Sequence, residues 1–316
     1  MHELVERLLD GDRRAAARII TLIENNAREK EQLLRELFPH TGRAFVLGIT
    51  GSPGAGKSSL ADSLTSYFRK QGLTIGVIAV DPTSPFSGGA ILGDRIRMQE
   101  HALDKGVFIR SMGTRGSLGG LARATKEAIK VLDAYGRDMI LVETVGVGQS
   151  ELDIMATADT TMVVLNPGTG DSIQTIKAGI MEIADVFVVN KCDRDGADKM
   201  AAEVNAMLDL GHGQNPNWRP PVVKTSTLDG RGIPELVEAV NRHREFAVSS
   251  GEFAKRRAQQ LKAEVTETVE HYLKELLWQK AEAGGEMDKL LEDAAQRLLD
   301  PYTIARRILS VFDTVD

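Results

Sequence analysis

The residues Gly51-Ser52-Pro53-Gly54-Ala55-Gly56-Lys57-Ser58 fit the pattern GxxxxGK(S/T) and directly follow an apolar run ending at Thr50. That spacing suits a chain of phosphates. Glycines let backbone N–H groups turn inward around phosphate oxygens, and a helix that follows adds the positive end of its dipole. In such a loop Lys57 reaches the β- and γ-phosphates of a nucleoside triphosphate, the Ser58 hydroxyl coordinates Mg2+, and Ser59 continues the contact. A glycine-rich turn with a chance lysine would satisfy the same letters. The strand signal before and the helical signal after argue against it.

A second segment, Asn190-Lys191-Cys192-Asp193, follows another apolar run and fits NKxD. Guanine presents two adjacent donors, N1–H and the exocyclic amine, and one carboxylate at Asp193 can accept both. Adenine has an acceptor at N1 and would leave that carboxylate unpaired. Asn190 is placed to tie neighbouring loops, and the Lys191 stem to cover the base. Four residues with one free position are weak evidence alone; the phosphate loop upstream gives them weight. Thr225-Ser226-Thr227, after a later apolar run, is a further candidate for base contact.

Carboxylates come third. Asp81 closes an apolar run and opens a loop with two prolines and two glycines, Asp94 lies just beyond, and Glu143 closes the run 139–143. Carboxylates at the carboxyl ends of parallel strands lie beside the nucleotide crevice, where Mg2+ or its waters need hard oxygen ligands. Asp81 and Glu143 are thus candidates to stand near a metal at Ser58, with Asp94 open between that role and a cap, and Lys57, Asp81 and Glu143 are the candidate catalytic groups. Caps of helices or turns are the plainer reading of the acidic residues. Gln149 lies three positions after Gly146 and receives no catalytic role. The 6 histidines have no metal-ligand spacing.

These groups need a scaffold, and the pattern of the chain supplies one. Apolar runs at 45–50, 74–80, 107–110, 139–143, 161–165, 186–190 and 222–225 alternate with helical stretches. The expectation is an α/β fold: a doubly wound, mostly parallel sheet over 41–246, covered on both faces. Residues 1–40 read as short amphipathic helices forming an amino-terminal extension. Residues 247–316 carry helical periodicity only, with Asp300-Pro301 as an N-cap and first-turn pair. That region is either an appendage packed on the sheet domain or a dimerisation arm.

Composition narrows the class. The 316 residues carry a net charge of −6, which gives no general pull toward nucleic acid or anionic lipid. The single cysteine, Cys192, excludes an internal disulfide and any Cys-cluster metal site. No apolar run is long enough to span a membrane, and the acidic start MHELVERLLDGD is unlike a secretory or transit signal. A cytoplasmic location is expected.

Taken together, the segments resemble the methylmalonyl-CoA mutase-associated GTPases. The matching text is GITGSPGAGKSSL at 48–60, VDPTSPFSGGAILGDRIRM at 80–98, FIRSMGTRGSLGG at 108–120, VETVGVGQSELDI at 142–154, GTGDSIQTIKAGIMEIAD at 168–185 and KTSTLDGRGIPEL at 224–236. The resemblance implies hydrolysis of GTP to GDP and phosphate, with magnesium held around Ser58, Asp81, Asp94 and Glu143. It implies a mobile loop at 171–177, with Asp171, Gln174 and Lys177, that couples nucleotide state to a partner. That partner is an adenosylcobalamin-dependent acyl-CoA mutase, which the GTPase would load with cofactor and protect. It also implies a homodimer joined by the carboxy-terminal arm. Departures are small: Ser59 and Thr83 stand where Thr and Ser are common, and Met112 replaces part of a proline-serine run. Two rival classes are a P-loop kinase of a transport component and a metal-delivery GTPase. The NKxD segment argues against the first, and the scarcity of cysteine and histidine clusters against the second.

Overall fold

Seven runs rich in Val, Ile and Leu fold into one parallel sheet in the computed structural model, which describes residues 1–81, 101, 103–113, 123–144, 154–167, 182–210, 217–283 and 286–310. The strands are β1 (Phe45–Gly51), β2 (Ile75–Asp81), β3 (Val107–Gly113), β4 (Met139–Glu143), β5 (Thr160–Leu165), β6 (Val186–Val189) and β7 (Val222–Lys224). Their order across the sheet is β3-β2-β4-β1-β5-β6-β7, and every pairing is parallel. The chain thus winds outward to one side of β1, returns to place β4 beside it, and continues outward on the other side. Crevices at such a reversal, beyond the carboxyl ends of the strands, are where ligands bind in open α/β sheets.

The strands β1, β4, β5 and β6 are buried along their whole length, because helices cover both faces. Along β1 and β4 the side chains alternate. Val46, Ile140 and Val142 face a layer built with α1 (Glu3–Leu9), α2 (Arg13–Glu24), α3 (Lys30–Leu37) and α5 (Arg123–Ala134). Phe45, Leu47, Ile49, Met139 and Leu141 face the opposite layer, built with α4 (Lys57–Lys70) and α7 (Ile233–Ser249). A third cluster joins Val163, Phe187 and Val189 to α6 (Ala197–Asp209). The first three helices therefore belong to the same core as the sheet. Helix α2 starts where the Asp12 carboxylate accepts the N–H groups of Arg14 and Ala15 at 2.7 and 3.4 Å. It then buries Ala15, Ala16, Ile19, Ile20 and Ile23 at helical spacing.

Strand β3 runs three residues further than its apolar pattern suggests, since Ser111, Met112 and Gly113 pair with Ala79, Val80 and Asp81. The polar side chains of Arg110 and Ser111 hide this from hydrophobicity. Arg110 is spent on an ion pair with Glu24 of α2.

The contacts divide the chain into two compact units, Met1–Ala254 and Lys255–Asp316. Most of α8 (Glu252–Ala283) lies in the second, with α9 (Glu286–Ala295) and α10 (Pro301–Ser310). The Asp300 carboxylate caps α10 by accepting the N–H groups of Tyr302 and Thr303 at 2.9 and 3.1 Å. Within this unit Met287, Leu290 and Ile304 are buried, whereas Leu261, Val265, Val269 and Leu276 of α8 are exposed.

Candidate functional site

The loop after β1 is shaped by two glycines that no other residue could replace without strain. Gly51 has φ +133°, and a Cβ there would lie 2.1 Å from the Val164 carbonyl oxygen on β5. Gly56 has φ +91°, and its Cβ would meet Asn190 Nδ2 at 2.4 Å. Between them the Ala55 N–H closes a turn onto the Ser52 carbonyl at 3.2 Å. Helix α4 starts directly after Gly56 with no side-chain cap, so its first N–H groups are left to the loop's concave side. Lys57, only 6% exposed, donates from Nζ to the Gly51 and Ser52 carbonyls at 2.8 and 3.1 Å. Its ammonium is thereby held inside the ring of the loop.

The next side chain reaches across to the neighbouring strand. Ser58 Oγ donates to Glu143 Oε1 at 2.6 Å, from the first turn of α4 to the last residue of β4. Glu143 is buried. The adjacent strand ends are stitched by a buried hydroxyl pair, with Thr144 Oγ1 donating to Thr50 Oγ1 at 2.9 Å, and by the Thr144 N–H on the Ile49 carbonyl at 3.0 Å. Hydroxyl and carboxylate oxygens are the hard donors that magnesium takes. Among the described residues no group of three or more His, Cys, Asp or Glu could hold a metal ion. Magnesium does not need one here, because it keeps waters and uses one or two carboxylates together with phosphate oxygens.

Beyond β6 the chain turns back over the loop. Asn190, fully buried, donates from Nδ2 to the Ala55 carbonyl at 2.9 Å and accepts from Thr225 Oγ1 at 3.1 Å. One amide thus joins the phosphate-loop candidate to the segment after β7. Lys191 has φ +58° and extends along the loop to donate to the Gly54 carbonyl at 2.7 Å. The Cys192 N–H returns to the Thr225 carbonyl at 2.9 Å, and the exposed Asp193 follows. Ser226 is buried beside Thr225, with Thr227 partly exposed.

The sequence candidates Gly51 to Ser59, Glu143, Asn190, Lys191, Asp193 and Thr225 to Thr227 therefore gather at the carboxyl ends of β1, β4, β6 and β7. Asp81 is the last residue of β2, two strands from β1. Asp94, Asp171, Gln174 and Lys177 lie outside the described residues. Sequence reasoning did not single out the Thr50–Thr144 pair. Its signal was a threonine at the last position of one apolar run and just past another, meaningful only once β1 and β4 are known to be neighbours.

Comparisons with known proteins agree with this geometry. The family described as "Methylmalonyl Co-A mutase-associated GTPase MeaB" matches residues 16–282. A putative GTPase of Pyrococcus abyssi is 53% identical over 97% of this chain and 95% of its own. The protein named "Methylmalonic aciduria type A homolog, mitochondrial" from Mus musculus is 38% identical over 81% of this chain and 66% of its own. Among solved structures, one titled as a LAO/AO transport system kinase superposes with a TM-score of 0.72 at 27% identity, covering 99% of this chain and 97% of that one. The seven parallel strands, the glycine loop on the central strand and the extent of these matches have one reading: the chain belongs to the MeaB family of methylmalonyl-CoA mutase-associated P-loop GTPases.

Proposed function

We propose that this GTPase binds GTP with Mg2+ in the cradle from Gly51 to Ser59 and uses its hydrolysis to serve an adenosylcobalamin-dependent acyl-CoA mutase. The observation that carries the nucleotide reading is one chain of contacts: Lys57 inside the loop, Ser58 on Glu143, and Asn190 on the Ala55 carbonyl. Phosphoryl transfer needs little covalent help, so the protein's part is positioning and charge. Lys57 and the N–H groups at the start of α4 take up negative charge on the phosphates. Glu143 orients the Ser58 hydroxyl, and with Asp81 and Asp94 these two complete the proposed magnesium ligands. Magnesium held by these residues would supply neutralising charge to the phosphates. Asp193 accepts both guanine donors, while Thr225, Ser226 and Thr227 close the far side of the base.

The partner reading rests on the family and on the mouse relative's name. The homodimer reading is supported by the exposed Leu261, Val265, Val269 and Leu276 of α8, an apolar row that a second copy would cover. No helix among the described residues is long and apolar enough to cross a membrane, and a cytoplasmic location belongs to the same proposal.

Coupling to the mutase is assigned to the loop 171–177, with Asp171, Gln174 and Lys177 at the interface. The test is GTP turnover with and without a saturating acyl-CoA mutase. Wild type should be accelerated, whereas Lys177→Ala should keep intrinsic turnover within a few-fold and lose most of the acceleration. Equal stimulation of both proteins would remove Lys177 from the coupling. Stimulation of neither would remove the mutase.

A further inference from the structure

A cavity of about 670 Å3 opens at the amino-terminal edge of the sheet, against the starts of β1 and β4 and so at the opposite end of the strands from Lys57. Its charged walls are Arg43, Arg137 and Arg244 with Asp133 and Asp138, and His40 also lines it. The two carboxylates are already committed to the backbone. Asp133 accepts the N–H groups of Gly42, Arg43 and Ala44 at 2.6, 3.1 and 2.9 Å. Asp138 accepts the Thr74 N–H at 2.7 Å and its hydroxyl at 2.6 Å. These bonds hold its carboxyl below the usual range. Both act as staples for the loops that frame the cavity.

The guanidiniums are not matched in this way. Arg137 is partly buried and has no carboxylate within ion-pair distance among the described residues. Its terminal nitrogens reach only the Gly106 and Tyr135 carbonyls, at 3.4 and 3.5 Å, and its buried Nε has no hydrogen-bond partner. Burial pushes the guanidinium down from its usual value, helped by the nearby Arg13 and Arg69 and opposed by Tyr135 and the Asp138 carboxylate. Its guanidinium carbon lies over the Tyr135 ring, 4.3 Å from the centroid. Arg244 is likewise steadied over the Phe45 ring at 4.9 Å. Guanidiniums oriented by aromatic faces beside a cavity are the usual receptor for oxyanions, which they bind through paired N–H groups. Leu73 and Met139 supply an apolar wall beside them.

We propose that this cavity is a second ligand site, separate from the nucleotide crevice, which takes a small molecule bearing a phosphate or carboxylate group on Arg137, with Arg43 and Arg244 as supporting cations. The test is isothermal titration of inorganic pyrophosphate and, separately, citrate into the protein saturated with GDP in magnesium-free buffer, which keeps the phosphate loop filled and leaves no free metal for either probe to chelate. Saturable binding of one equivalent is expected. Preference for pyrophosphate would mark a phosphate ester as the natural ligand, and preference for citrate a carboxylate. Arg137→Gln should weaken binding by about tenfold or more, in keeping with loss of a bidentate charged contact, and the exposed Arg244→Gln by several-fold. Neither should change intrinsic GTP turnover. If Arg137→Gln lowers folding, Arg244→Gln alone decides. Absence of saturable binding, or binding that both variants leave intact, would overturn the site.

Discussion

Asn190 shows what a single side chain does here, since its two hydrogen bonds join the loop after β1, the end of β6 and the segment after β7. From the letters NKxD the residue could be seen as a tie between loops. Its two partners, the Ala55 carbonyl and the Thr225 hydroxyl, could not be named, because both come from distant positions in the chain. The same limit applies at the other end of β6. Asp185, which precedes that strand, accepts the Thr161 N–H at 2.8 Å and faces His243 Nε2 at 3.1 Å, and His243 Nδ1 lies 2.7 Å from Thr160 Oγ1. All are buried, and the Trp218 ring packs edge-on against His243 at 5.0 Å. Neither residue stood out in the sequence, where scattered histidines look alike. Asp185→Ala would leave a buried N–H and a buried imidazole without their acceptor. We expect it to lower the unfolding free energy by about 3 kcal/mol, measured by urea denaturation. GTP turnover per folded molecule should stay near wild type, because the array lies at the far end of the strands from Lys57. A loss of turnover without a loss of stability would contradict this purely structural role.

Elements were more legible than their contacts. Strands buried on both faces read as unbroken apolar runs, which made β1, β4, β5 and β6 visible, and the short edge strand β7 showed through its two valines although it is half-exposed. The exception was the outer part of β3, where Arg110 and Ser111 break the run. Between elements, the glycine loop carries the strictest demand. Ala at position 56 would be forced into a left-handed conformation, a cost of about 1–2 kcal/mol. It would also press its Cβ onto Asn190 Nδ2, an atom that cannot yield without giving up the Ala55 carbonyl. Gly56→Ala should therefore fold with a modest drop in melting temperature and bind GTP at least about tenfold more weakly. A fluorescent guanine nucleotide titration would report it. Unchanged affinity would mean that the bridge from Asn190 to the loop does not shape the nucleotide site.

At the scale of the molecule, the first forty residues are part of the sheet's own core, since Val5, Leu8, Ile19 and Leu33 share one apolar layer with Ile78 and Ile140. Periodicity alone identified amphipathic helices there but could not say which surface they cover. The carboxy-terminal unit poses the converse question, because α8 leaves an apolar row exposed. A chain ending at Ala254 should retain GTP turnover and shift from dimer to monomer by light scattering; a truncated chain that stays dimeric would move the interface onto the first unit. Above both units stands the claim that this is a guanine-reading P-loop enzyme, with the base recognised at Asp193 on the turn that Lys191 and Asn190 anchor. The most direct measurement is parallel titration of GTP and xanthosine triphosphate into wild type and Asp193→Asn. That substitution exchanges an acceptor for a donor, and xanthine offers an acceptor where guanine offers its amine. The account predicts that the variant loses about tenfold or more in GTP affinity and gains for xanthosine triphosphate. Equal affinity of wild type and variant for GTP would contradict it.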